Sequence, residues 1–308
     1  MIFKATCLLI LFAFFSSATS QIIGGEISDE NKIKHLVLIV ITRVTDRENV
    51  PKPVTQSQGG GSILNSRWIL TCAHTFSDKV VDGAVYRPYG MTITAGTKDK
   101  QEGGQVKKVK VQMGRNVFEN REMDTALIHL GSGHKIDMTD PKVQRADLLL
   151  PGQELPVGTL CMISGWGNYH RKENGEWETP RWAFQGEVVV KAGEACRRMR
   201  SFDGEKHLCV GIHRELAMAS KGDSGTPVSC RVGGREEVVA GFVVKVPRDV
   251  ARNLWNEGLS AAVDVRKVHD WIRTTMGMRR AQRSFAGETL IALFAAAVGA
   301  AAFLKLRS

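Results

Sequence analysis

The apolar residues between Ile22 and about Met276 come in short β-branched runs separated by Gly, Pro, Asn and Asp stretches. That punctuation is what most limits the folds open to the chain. Leu36–Thr42, Met91–Ala95, Val106–Val111, Glu187–Val190 and Glu237–Val246 each read as a strand. Short strands in this succession build barrels or a sandwich, not alternating βα units. One helix is expected near the end, over Asp264–Thr275, where Val265, Val268, Trp271 and Ile272 fall at helical spacing. There is no internal repeat, no phosphate-cradling glycine loop and no His/Cys cluster at metal-ligand spacing. Neither a cofactor nor a metal is expected.

The two ends are of a different character. Lys4 precedes the apolar run Ala5–Phe15, which gives way to Ser16-Ser-Ala-Thr-Ser20. A positive start, a short apolar stretch and a small-residue zone are the layout of a secretory signal peptide over residues 1–20, cleaved after Ala18 or Ser20. The exported body then covers 21–276, and a polar linker covers 277–288. Beyond it, the 16 residues Thr289–Leu304 carry no charge, just short of the roughly 17–25 that a spanning helix needs. They are compatible with a short membrane anchor, the cleaved tail of a lipid-anchor signal, or a sorting tail. A core helix fits less well, because the run is apolar on every face.

Export places the cysteines in an oxidising compartment. Cys7 leaves with the signal, so five remain: Cys72, Cys161, Cys196, Cys209 and Cys230. Five permits at most two bridges and leaves one thiol. The net charge of +10 falls by one when Lys4 is removed, and a basic exported protein can adhere to acidic glycans or anionic membranes. Nucleic acid is not an expected partner. The clusters Lys107-Lys-Val-Lys110 and Arg197-Arg-Met-Arg200 read as solvated surface.

Three residues are candidates for one chemistry. Attack on an acyl carbonyl by a serine needs a base for the hydroxyl proton, a carboxylate to orient that base, and backbone donors for the oxyanion. His74 ends the apolar stretch Trp68-Ile-Leu-Thr-Cys-Ala-His74. Asp124 leads into Thr125-Ala-Leu-Ile-His-Leu130, and Ser224 sits in Lys221-Gly-Asp-Ser-Gly-Thr-Pro227. The G-x-S-x-G elbow is excluded, since Thr226 stands two residues after Ser224.

The order His, Asp, Ser, with Ile22-Ile-Gly-Gly25 just after the signal, resembles the trypsin/chymotrypsin-like serine proteases. Gly60-Gly-Ser-Ile-Leu-Asn65, Ser164-Gly-Trp-Gly167 and Val268-His-Asp-Trp-Ile272 extend the resemblance over nearly the whole body. It implies an all-β fold of two six-stranded antiparallel β-barrels with a C-terminal α-helix. It implies Ser224 as nucleophile, His74 as general base and Asp124 as orienting carboxylate. The amides of Gly222 and Ser224 would form the oxyanion hole. Asp223 would pair with the amine of Ile22 once the chain is cut before it, and protein or peptide substrates would follow. Two of the family's bridges have counterparts, Cys161 with Cys230 and Cys196 with Cys209.

The chain departs from that pattern in several places. Gly59 and Thr75 occupy the positions of the bridge that brackets the catalytic histidine, and Ser220 one end of the bridge beside the specificity pocket. Cys72 is then the odd thiol. Met218 stands where a trypsin has Asp, and Val246 and Ser260 fall elsewhere on the pocket wall, implying an apolar or medium-sized side chain before the scissile bond. Val244 replaces a serine that hydrogen-bonds the triad carboxylate, and Lys245 a tryptophan of the cleft. Neither signal-cleavage site leaves a basic residue before Ile22, so a non-tryptic trimming step is expected. The reading is a secreted or surface-tethered endopeptidase. The alternative is a weak or inactive homologue that binds acidic glycans or membranes.

Overall fold

The computed structural model describes residues 22, 25–45, 55–168, 170–171, 177–213, 217–246 and 258–277. The signal peptide expected over 1–20, residues 278–288 of the linker and the apolar tail 289–304 lie outside the described residues. Among the described residues no helix is long and apolar enough to cross a membrane.

The chain forms two β units. In the first, the strands Lys79–Val81, Ala84–Ala95, Leu36–Thr45, Thr55–Asn65, Trp68–Cys72, Thr125–His129 and Val117–Asn120 follow one another across a curled sheet, with Gln105–Lys110 also paired to Ala84–Ala95. The run Leu36–Ile41 is continuously apolar because both of its faces are covered. Val37, Ile39 and Ile41 point inward with Ile63, Ile69, Met91, Ile93 and Ile128. Leu36 and Leu38, on the opposite side of the pleat, pack with Ile33, Trp166 and Ala183. A strand buried on both faces loses the polar alternation of a half-exposed one.

In the second unit, Phe184–Lys191, Leu160–Gly165, Pro227–Val232, Arg235–Lys245, Ser260–Asp264 and His207–Ile212 close on themselves, since His207–Ile212 pairs back to Phe184–Lys191. This is the expected six-stranded barrel, and the first unit is its curled, incompletely hydrogen-bonded counterpart. Cys161 and Cys230 are directly opposite on neighbouring strands and form a disulfide. A second bridge joins Cys196 to Cys209. Residues 265–277 are helical, and Val265, Val268 and Ile272 insert into the core of the closed barrel. Leu70, Cys72 and Leu127 of the first unit belong to that same core, so the two units share an apolar seam.

Phe242 is fully buried in this core. Phe242→Ala is expected to destabilise the protein by roughly 3–5 kcal/mol. Val80→Ala, on a residue 70% exposed, should change stability by less than about 0.5 kcal/mol. Urea unfolding of both variants measures the contrast.

Candidate active site

Strand register brings His74 and Asp124 together. Trp68–Cys72 and Thr125–His129 are antiparallel neighbours with Cys72 opposite Thr125. The residues just after Cys72 and just before Thr125 therefore leave the sheet at the same edge. The chain turns there through the short 3-10 segment Ala73–Phe76, and the Ala73 amide donates to Asp124 O at 3.0 Å. Asp124 has φ of 47°, a left-handed conformation that Asp tolerates better than most residues. Its carboxylate meets His74 twice: the His74 amide donates to Oδ1, and Nδ1 lies against Oδ2, both at 2.8 Å. With Nδ1–H committed to the carboxylate, Nε2 is the basic nitrogen. It lies 2.8 Å from Ser224 Oγ.

Burial opposes protonation of this imidazole. The hydrogen bond and charge of Asp124 favour it. Cys72 is buried and unbridged. Its Sγ lies 2.9 Å from Thr75 Oγ1 and 3.7 Å from His74 Nε2. Val244 is buried in the core, and among the described residues His74 alone donates to the Asp124 carboxylate.

The Ser224 loop is seated on glycines. Gly60 N donates to Ser224 O at 2.8 Å, and Gly225 N donates to Val243 O at 2.7 Å. A Cβ on Gly59 would stand 2.7 Å from Ser224 O, and one on Gly60 2.5 Å from Thr226 Oγ1. The Gly-Gly-Ser motif is thus the platform under the nucleophile loop. Gly222 takes φ of 107°, a backbone conformation open to glycine and costly for other residues. The amides of Gly222 and Ser224 donate to no other described residue.

Asp223 is fully buried. Its Oδ1 accepts from Gly167 N at 2.8 Å, and its Oδ2 from Ser220 N at 2.9 Å and Ser220 Oγ at 3.2 Å. A Cβ on Gly165 or Gly167 would overlap this carboxylate, which is why the Ser-Gly-Trp-Gly motif carries both glycines. No cation stands within ion-pair distance of Asp223 among the described residues. Desolvation pushes it up to about 6, against the lowering effect of its three hydrogen bonds. Ile22 is also buried, in the core that holds Ala219 and Phe184. Its nitrogen is still a peptide amide joined to Gln21 and carries no charge.

The expected pocket residues are less closely defined. Met218 and Ser260 are buried, and Val246 is partly buried against the closed barrel's core. The Ser260 hydroxyl has no hydrogen-bond partner among the described residues. Segments 214–216 and 247–257, which flank these positions, lie outside the described residues. Among the described residues no group of three or more His, Cys, Asp or Glu is placed to hold a metal ion.

Sequence reasoning missed Arg43. It is 1% exposed, and its guanidinium donates to Ser57 Oγ, to Thr75 O and to Ser77 O. It ties the strand Leu36–Thr45 to the turn that carries His74. A Cβ on Gly59 would lie 3.5 Å from Thr75 Oγ1, so these two residues are neighbours without a covalent link. Arg43 clamps the same turn by hydrogen bonds. An arginine closing an otherwise apolar run was the available signal.

The structure thus brings a hydroxyl, an imidazole and a carboxylate into line, beside two amides with no partner among the described residues. The Trypsin family model matches residues 23–272. Trypsin of Simulium vittatum is 26% identical over 224 residues, covering 70% of this chain and 80% of that protein. Human cathepsin G is 25% identical over 274 residues, covering 87% and 94%. Among solved structures, one described as GrC covers 82% of this chain and 99% of its own at TM-score 0.61 and 18% identity. Neuropsin, a serine protease expressed in the limbic system of mouse brain, covers 82% and 98% at TM-score 0.58 and 20% identity. These two establish the fold. The chain belongs to the trypsin-like serine protease family.

Replacing Arg43 by Met removes charge-assisted bonds from the buried Thr75 carbonyl and the part-buried Ser77 carbonyl. The variant is expected to lose about 1.5–3 kcal/mol, read as a lower urea midpoint at unchanged slope.

Proposed function

We propose that the chain is an exported serine endopeptidase that hydrolyses peptide bonds through an acyl-enzyme. The observation carrying this reading is the unbroken line from Ser224 Oγ through His74 to Asp124, with both contacts at 2.8 Å. His74 Nε2 takes the Ser224 proton as Oγ attacks the scissile carbonyl, and returns it to the leaving amine. Asp124 holds the imidazole in the tautomer that leaves Nε2 basic and stabilises the imidazolium. The amides of Gly222 and Ser224 receive the charge that develops on the carbonyl oxygen. Water then repeats the sequence on the ester. Met218 in place of an acidic residue favours an apolar or medium-sized side chain before the scissile bond.

Activation rests on Asp223. A buried carboxylate without a counter-charge is costly. Cleavage before Ile22 would supply an ammonium group from a residue already buried in the same core. That pair would hold the loop from Ser220 to Ser224 in place, making the cut the switch. The competing reading is a non-catalytic binding protein for acidic glycans, favoured by Lys245 in the cleft and by Val244.

Fluorophosphonate labelling decides between the two. After trimming to Ile22, the wild type is expected to label and Ser224→Ala is not, with peptidase activity falling about a million-fold. Absence of Ser224-dependent labelling would remove the enzyme reading.

The untrimmed chain should also show a distinct pH dependence. Because Asp223 titrates at about 6 when folded, against 3.8 ordinarily, the folded state binds more protons between those values. Its stability contribution is therefore present below about pH 4 and lost as pH rises towards 6. Trimming to Ile22 should abolish or invert that loss, as followed by thermal unfolding across pH.

A further inference from the structure

Beside His74 and Asp124 lies a cavity of about 470 Å³, lined by residues including Glu119, Arg121, Asp203, Lys206, His207 and Lys245. Most of its charges are already answered. Arg121 pairs with Glu119 at 3.0 Å, and Lys206 lies 3.5 Å from Glu122 and 3.8 Å from Asp203. Asp124 is engaged by His74. Lys245 differs: no carboxylate stands within ion-pair distance of its ammonium among the described residues. One of its protons goes to Ser201 O at 2.8 Å, which fixes Nζ at the cavity wall.

The other neighbour of Nζ is His207 Nε2, at 3.3 Å. This contact is not an ordinary hydrogen bond, and the far side of the ring shows why. The Asp203 amide donates to His207 Nδ1 at 3.0 Å, so Nδ1 bears no proton. Burial, with the Lys245 charge second, pushes His207 down to about 4, and the ring is neutral at neutral pH. A neutral imidazole with a bare Nδ1 carries its proton on Nε2. Two donors, an ammonium and an imidazole N–H, therefore meet with no acceptor between them. His207 is 8% exposed and its ring packs against Phe202, so it has little freedom to turn away.

We propose that Lys245 Nζ and His207 Nε2–H form a carboxylate-binding subsite beside the triad, which reads an acidic side chain flanking the scissile bond of the substrate. One carboxylate can accept from both donors at once, relieving their conflict through charge-assisted bonds. The neighbouring carboxylates oppose this at longer range. Glu119 is held by Arg121, Glu122 and Asp203 share Lys206, and Asp124 is held by His74, and direct contact with two donors outweighs their screened repulsion. The proposal rests on the peptidase reading for its physiological sense. The subsite itself is a binding property that can be measured without turnover.

The test uses peptide pairs that differ only by Asp against Asn, or Glu against Gln, at each position within four residues of the scissile bond. With trimmed enzyme, kcat/KM is expected to favour the acid about ten- to a hundred-fold at one position. Lys245→Met should bring that ratio towards one, and Lys245→Glu should reverse it. In parallel, binding of the same pairs to Ser224→Ala is measured by calorimetry, where the acid should again bind more tightly. Acid-selective binding that depends on Lys245, without Ser224-dependent labelling of the wild type, would keep the subsite and overturn the peptidase reading. Equal binding of acid and amide at every position, or a preference that survives both Lys245 substitutions, would overturn the subsite.

Discussion

A single desolvated carboxylate organises the loop on which the site depends. Asp223 is fully buried and, among the described residues, is met by the amides of Gly167 and Ser220 and by one hydroxyl, with no cation within ion-pair distance. Those donors lie on two separate segments, so the carboxylate fastens the segment after Leu160–Gly165 to the one before Ser224. The contact is so close that neither Gly165 nor Gly167 has room for a side chain. The positions of Gly222 and Ser224, and hence of the two unengaged amides, are inherited from this attachment.

The first unit reaches the same region by another route. His74 and Asp124 are aligned because their strands are paired in a register that ends at the same edge. The turn after His74 is then secured by the guanidinium of Arg43 where a covalent link is missing. The two devices differ in kind. A disulfide acts largely by restricting the unfolded chain, whereas a buried guanidinium acts on the folded state and depends on the carbonyls of Thr75 and Ser77 staying in reach.

Much of this was legible from the residues. The β-branched runs mapped onto strands, and the helix expected over Asp264–Thr275 forms with its apolar spacing facing the core. The structure brings His74, Asp124 and Ser224 together and bridges Cys161 to Cys230 and Cys196 to Cys209. Long-range pairings of particular polar atoms were not legible. Arg43 reaches Thr75 and Ser77 across more than 30 positions, and Lys245 meets His207 across 38. No local periodicity encodes such contacts. Nor does composition reveal which ring nitrogen of His207 is protonated, because that follows from one backbone amide at Asp203. The incomplete closure of the first sheet was equally hidden, since strand runs give lengths and faces but not which edges meet.

The short strand Glu26–Ile27 pairs with Gln185 and Phe184, and so joins the barrel built by the opposite end of the chain. Its partner lies more than 150 residues downstream. During synthesis the beginning of the chain must therefore remain unpaired until the strand at Phe184 has emerged and found its neighbours. Burial of Ile22 is a late event that reports completion of the second barrel. A chain that stalls or misfolds before that point leaves Ile22 exposed, whereas a finished one has buried it, linking the integrity of the fold to the state of this one residue.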